Sequence, residues 1–142
     1  MSARRKKRTV IGWREWVELP DWGLRVKAKI DTGARSSSID VTRIEHLPGG
    51  RVRFEVRPLR KAGKTRAVEA DILKSTRVKS SNGHVQERIV VRTTLRLAGV
   101  EKPIHVTLTS RRKMLHRMLL GREALGTDFL IDAGADHLLR DA

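Results

Sequence analysis

Residues 29–40 read KIDTGARSSSID, an acid set directly after an alternating run and followed by a hydroxyl and a glycine. Those residue types can activate water. Hydrolysing a peptide without a metal or a nucleophilic side chain needs a general base for the water and a general acid for the leaving amine. Two carboxylates about 3 Å apart do both, because like charges that close cannot both ionise and so hold one proton between them. An acid presented for this work belongs on a rigid turn at a strand end, beside a glycine that admits backbone and substrate. A neighbouring hydroxyl then fixes the carboxylate plane. Ile30-Asp31-Thr32-Gly33 supplies each part. Taken alone, the tripeptide reads first as a turn, since Asp and Gly are common turn residues. A second element raises its interest: Leu119-Leu120-Gly121-Arg122, about ninety residues downstream.

Something must position these residues, and the chain reads as strands. Leu24, Val26, Ala28 and Ile30 alternate with Arg25, Lys27 and Lys29, the period of a half-buried strand. The run VIGWREWVEL before it is broken by Pro20-Asp21-Trp22-Gly23, which predicts a hairpin. Val52, Phe54 and Val56 predict another strand, and residues 87–97 a longer one with Ile89, Val91, Thr93, Leu95 and Leu97 on one face. Ala98-Gly99-Val100-Glu101 turns the chain into PIHVTLT. The stretch MLLGREALG holds one helical turn, and DFLID ends the pattern. Many short strands and one short helix predict a closed or sandwiched all-β domain. Residues 59–67 and 79–86, rich in Gly, Ser and Lys, read as mobile loops or hairpin tips.

At 142 residues one domain is expected, without cysteines to staple it. The formal charge of +15 attracts polyanions: RNA, an anionic membrane surface or an acidic peptide. Arg4 to Arg8 are consecutive cations, read as a basic disordered arm over 1–9 that rests on RNA or is simply solvated. Residues 10–142 are expected to form the domain. With no apolar signal segment and no long apolar run, the expectation is a cytoplasmic protein without a membrane partner.

KIDTGA followed by MLLGREAL is similar to the retropepsin-like aspartic proteases. More closely, VKAKIDTGARSSSID, RVKSSNG and LTSRRKMLHRMLLGREALG resemble the bacterial family labelled ATP-dependent zinc proteases, associated with a glutamate ligase that acts on a ribosomal protein. The resemblance implies a closed retropepsin-like β-barrel with one short helix near the C-terminus, working as a homodimer on a peptide or protein substrate. Asp31 becomes the catalytic acid and base. Thr32 becomes the hydroxyl tying two loops across the dimer axis, Gly33 and Ala34 shape the loop where substrate approaches, and Leu119, Leu120 and Gly121 brace it. Arg77, Ser80, Arg111 and Met114 belong to the motifs of the closer group without a derived role.

Ile131-Asp132-Ala133-Gly134-Ala135 echoes the Asp31 turn, as if one chain held both acids. Only ten residues follow Asp132, too few for a second lobe with its own brace, and Ala133 lacks the hydroxyl. The second acid is therefore expected to be Asp31 of another copy.

Arg35 departs from the retroviral pattern, where an acid pairs with the arginine of the Gly-Arg element. Arg122 then needs another partner, Glu123 or Asp40. Arg35 itself is either a structural ion-pair member or, with Arg122, a binder of acidic peptides such as a polyglutamate tail, because arginine forks take carboxylates bidentately. No cofactor is expected: AGKT at 62–65 has Pro58 where a phosphate loop needs its first glycine. His46, His84, His105, His116 and His137 show no metal-ligand spacing. The competing reading is a basic ribosome- or RNA-associated module with a non-catalytic protease fold.

Overall fold

The computed structural model describes residues 8–57, 65–110 and 116–136. Ten strands carry the fold, in the order β1 (Thr9–Gly12), β2 (Arg14–Leu19), β3 (Leu24–Ile30), β4 (Ser37–Leu47), β5 (Arg51–Val56), β6 (Arg66–Lys79), β7 (Val85–Leu97), β8 (Val100–Thr109), β9 (Met118–Leu120) and β10 (Phe129–Asp132). A 3-10 turn, Pro20–Trp22, joins β2 to β3, and among the described residues α1 (Arg122–Leu125) is the α-helical turn.

The pairings return on themselves. β2 pairs with β3, β3 with β9, β9 with β4, β4 with β8, β8 with β7, and β7 meets β2 again at Arg96 and Glu18. The all-β architecture expected above is therefore present, and its pairings close a ring. Inside lie the alternating residues read from the sequence: Val26, Ala28 and Ile30, then Val52, Phe54 and Val56, then Ile89, Val91 and Leu95. The β2–β3 hairpin forms as predicted, with Val17 opposite Val26. Ala98 and Gly99 both have positive φ, 53° and 78°, the requirement of a tight turn that matches the twist of β7 and β8.

Two long strands escaped the sequence reading. In β4 the inward positions are Ser37, Ile39 and Val41, with Asp40 also buried, so polar residues break the apolar period. In β6 only Val68 and Ala70 are buried, and every position from Leu73 onward is exposed. Its partner segment Val85–Arg88 is exposed too, so the pair projects as a two-stranded ribbon held by backbone hydrogen bonds. Backbone pairing leaves no hydrophobic signature. The stretch 79–86 is the tip of this ribbon rather than a free loop. Most of 59–67 lies outside the described residues, as do all but Arg8 and Thr9 of the arm. Thr9 itself belongs to β1.

Candidate active site

β3 delivers Asp31 and β9 holds it there. The two strands run parallel with Ile30 beside Leu120, and the Asp31 N–H donates to Leu120 O at 2.9 Å. The chain then turns: Ala34 N–H donates to Asp31 O at 3.2 Å and Gly33 N–H to Asp31 Oδ1 at 3.1 Å. One carboxylate oxygen is thus held by the backbone, while the residue stays partly open to solvent. Thr32 and Gly33 are exposed at the tip.

The brace is tight. Arg122 N–H and Glu123 N–H donate to Ala34 O and Arg35 O at 2.9 and 3.0 Å. Gly121 N–H donates to the buried Ser37 Oγ at 3.0 Å. A Cβ on Gly121 would lie 2.5 Å from Ser36 O, so no other residue fits without moving the loop. Leu120 is fully buried behind it, and Leu119 is half-buried between Lys29 and Ser38.

The two arginines singled out in the sequence both tie the loop. Arg122 Nη1 donates to Thr32 O at 2.9 Å. Arg35 pairs with Glu123 at 2.8 Å, joining the same two segments with an Arg on the loop and an acid on the helix. Neither of the acids considered for Arg122 is its partner: Glu123 is taken by Arg35, and Asp40 by Arg117 at 2.9 Å in a buried pair. Arg117 and the fully buried Glu15, whose Oε2 accepts the Gly12 N–H at 2.7 Å, were not foreseen. A charged residue adjoining an apolar run carries no local sign of burial.

The echo at Asp132 is geometric as well as textual. Gly134 N–H donates to Asp132 Oδ1 at 3.0 Å and Ala135 N–H to Asp132 O at 3.2 Å. Trp13 N–H donates to Ala135 O at 2.8 Å, as Arg122 N–H does to Ala34 O. β1 runs parallel to β10 with Ile11 beside Ile131, and a Cβ on Gly12 would lie 2.5 Å from Ala135 O. Contrary to the expectation from the ten residues that follow it, Asp132 does have a brace. Its brace, Val10-Ile11-Gly12, precedes it in the chain instead of following it. The missing hydroxyl remains, since Ala133 stands where the first loop has Thr32. Asp132→Asn is expected to change any hydrolysis that depends on Asp31 by less than about twofold; a loss as deep as that expected for Asp31→Asn would place Asp132 in the chemistry.

Beside the loop lies a groove of about 310 Å³, lined by Ala34, Ser36, Ser38, Arg88, Thr107 and Ser110 among others. At its edge Glu87 accepts from Ser75 Oγ at 2.7 Å and contacts His46 Nε2 at 2.8 Å, tying the ribbon to β4. The Ser75 hydroxyl first, then His46, hold the Glu87 carboxyl below its ordinary value. A carboxyl held low in the folded state stabilises it fully above the unfolded value, and that contribution is lost as pH falls through the folded one. Melting profiles of wild type and Glu87→Gln are thus expected to differ near neutrality and to converge only as pH falls through the folded-state value, below the ordinary glutamate range of about 4.3. A constant offset across the whole range would exclude the tie.

Ser80 acquires a physical role: its N–H and Oγ reach His84 O at 2.8 and 3.1 Å, closing the ribbon tip. Arg77 stands opposite Glu87. Arg111, Met114, His137 and most of AGKT lie outside the described residues. Among the described residues no group of three or more His, Asp or Glu is arranged to hold a metal ion, and no helix is long and apolar enough to cross a membrane.

A Legionella pneumophila protein of unknown function shares the fold, with a TM-score of 0.78 at 25% identity over 94% of this chain and all of that one. Two proteins named probable alpha-L-glutamate ligase are similar in sequence. The one from Shewanella halifaxensis is 37% identical over 137 residues, 92% of this chain, and the one from Parasynechococcus marenigrum 36% identical over 143 residues, 95% of it. The chain spans about 30% of the length of either relative. Residues 10–140 match the model of the RimB-like family, described as retropepsin-like aspartic endopeptidase RimB, and the chain belongs to that family.

Proposed function

We propose that this protein is an aspartic endopeptidase in which two copies each contribute Asp31 to one dyad. The observation that carries the reading is the Asp31 carboxylate itself, fixed by the Gly33 N–H on a doubly braced loop and still open to solvent. A single carboxylate cannot serve as base and acid at the same moment; two brought together hold one proton and serve as both. The ionised partner takes a proton from water, whose oxygen attacks the scissile carbonyl. The protonated partner first hydrogen-bonds the developing oxyanion, and a proton then passes to the amide nitrogen as the C–N bond breaks. No metal or nucleotide enters this cycle.

Thr32, exposed at the loop tip, is the group available to bond the opposite loop. Val10 and Leu130, neighbours in register on the β1–β10 pair and 48% and 49% exposed, would offer a second copy an apolar surface. The groove beside Ala34 would take an extended peptide, and the β6–β7 ribbon would cover it as a flap. Arg88 and the hydroxyls of Ser36, Ser38, Thr107 and Ser110 suit acidic side chains, and the +15 charge draws such substrates in a salt-dependent way. Arg35 and Arg122 serve this site first as loop ties, adding positive charge at its edge.

Dilution tests the shared dyad. Activity per chain on a glutamate-rich peptide is expected to fall as mass in solution shifts from dimer to monomer. Constant activity per chain from a monomeric species would overturn the two-copy site.

A further inference from the structure

The outer face of the β2–β3 hairpin is used by neither loop. Strand alternation puts Arg25, Lys27 and Lys29 on that face of β3, while Val26, Ala28 and Ile30 fill the core. Across from them β2 presents Arg14, Trp16 and Glu18, with Trp16 directly opposite Lys27 and Arg14 opposite Lys29. The Trp16 ring is half-buried and flanked by cations: Arg25 Cζ lies 4.9 Å and Lys27 Nζ 5.3 Å from its centroid. Arg14 Cζ lies 4.7 Å from the centroid of Trp13, the residue just before β2. Lys27 and Lys29 have no carboxylate partner among the described residues, whereas Arg14 is paired with Asp136 at 2.6 Å and Glu18 with Arg96 at 3.0 Å.

From this arrangement we infer that the β2–β3 face binds single-stranded nucleic acid. Successive outward cations on a strand recur every 6–7 Å, close to the spacing of phosphates along an extended strand. The aromatic ring among them decides between polyanions. Carboxylates or sulfates would use the cations alone, whereas an unpaired base has a π-face that stacks on an indole or on an arginine plane. Trp22 is the buried tryptophan of the core, so Trp13 and Trp16 are the two at the surface, both beside arginines.

Binding of a fluorescein-labelled fifteen-residue oligouridylate to the full-length protein, read by anisotropy at fixed salt, tests the assignment. Reversing Lys27 and Lys29 together to Glu is expected to weaken binding at least tenfold. Reversing Arg53 and Arg92, exposed on other strands, makes the same change in net charge and is expected to cost less than threefold. Trp16→Leu is expected to weaken oligouridylate binding at least fivefold while leaving inorganic polyphosphate, which has no bases, within twofold. Circular dichroism confirms that each variant is folded. Equal losses from both charge pairs, an equal Trp16→Leu effect on polyphosphate, or polyglutamate competing as well as unlabelled oligouridylate would each overturn the proposal.

Discussion

Asp31→Asn is expected to lower peptide cleavage by about 10²- to 10⁴-fold, the worth of general acid–base catalysis, while stability changes by less than about 0.5 kcal/mol. The split follows from geometry. The structural duty of the side chain is to accept the Gly33 N–H, and an amide oxygen accepts it equally well. The other bonds that hold the loop do not involve the Asp31 side chain: the Asp31 N–H on Leu120 O, the Ala34 N–H on Asp31 O, Arg122 on Thr32 O and the Arg35–Glu123 pair. The amide cannot gain or lose a proton at working pH, so the chemistry fails where the fold does not. The measurement pairs initial rates on an acidic peptide with a urea titration of the same preparations. Activity surviving the substitution, with the variant folded, would move the chemistry away from this loop. It would also leave the nucleic-acid assignment standing, since the oligouridylate assay reads a different face.

Asp40→Ala is expected to destabilise the fold by about 3–5 kcal/mol, because it takes the carboxylate away from a buried guanidinium. Arg117 Nη1 lies 2.9 Å from Asp40 Oδ2, with side chains only 9% and 8% exposed. The same residues are joined by the backbone, where Asp40 N–H donates to Arg117 O at 2.8 Å. The pair fastens β4 to the segment entering β9, the strand that braces Asp31. For a domain stabilised by roughly 5–15 kcal/mol the loss is a large share of the total. It should appear as a lower urea midpoint with an unchanged slope. Replacing both partners, with Asp40→Leu and Arg117→Met, should recover part of it, since an apolar pair leaves no uncompensated charge. A loss below about 1 kcal/mol in the single variant would show that solvent reaches Arg117.

What the sequence by itself determined was local and chemical. Alternation every second residue named the inward faces of β3, β5 and β7, because burying one face of a strand forces that period. The Asp-Thr-Gly turn and the apolar-apolar-Gly element were legible as short motifs, since a left-open glycine and a placed acid are requirements of one or two residues. Pairing was not legible. β4 and the outer half of β6 are set by backbone hydrogen bonds to neighbours, which any side chain permits. The partner of each charge was likewise a tertiary outcome. Arg35 met Glu123 and Arg117 met Asp40 across 88 and 77 residues of chain, separations over which spacing says nothing. The brace of the Asp132 turn shows the same division. Val10-Ile11-Gly12 is written in the same residue types as Leu119-Leu120-Gly121, yet only the parallel pairing of β1 with β10 brought it under its turn, because the order of elements along the chain does not dictate their order in space.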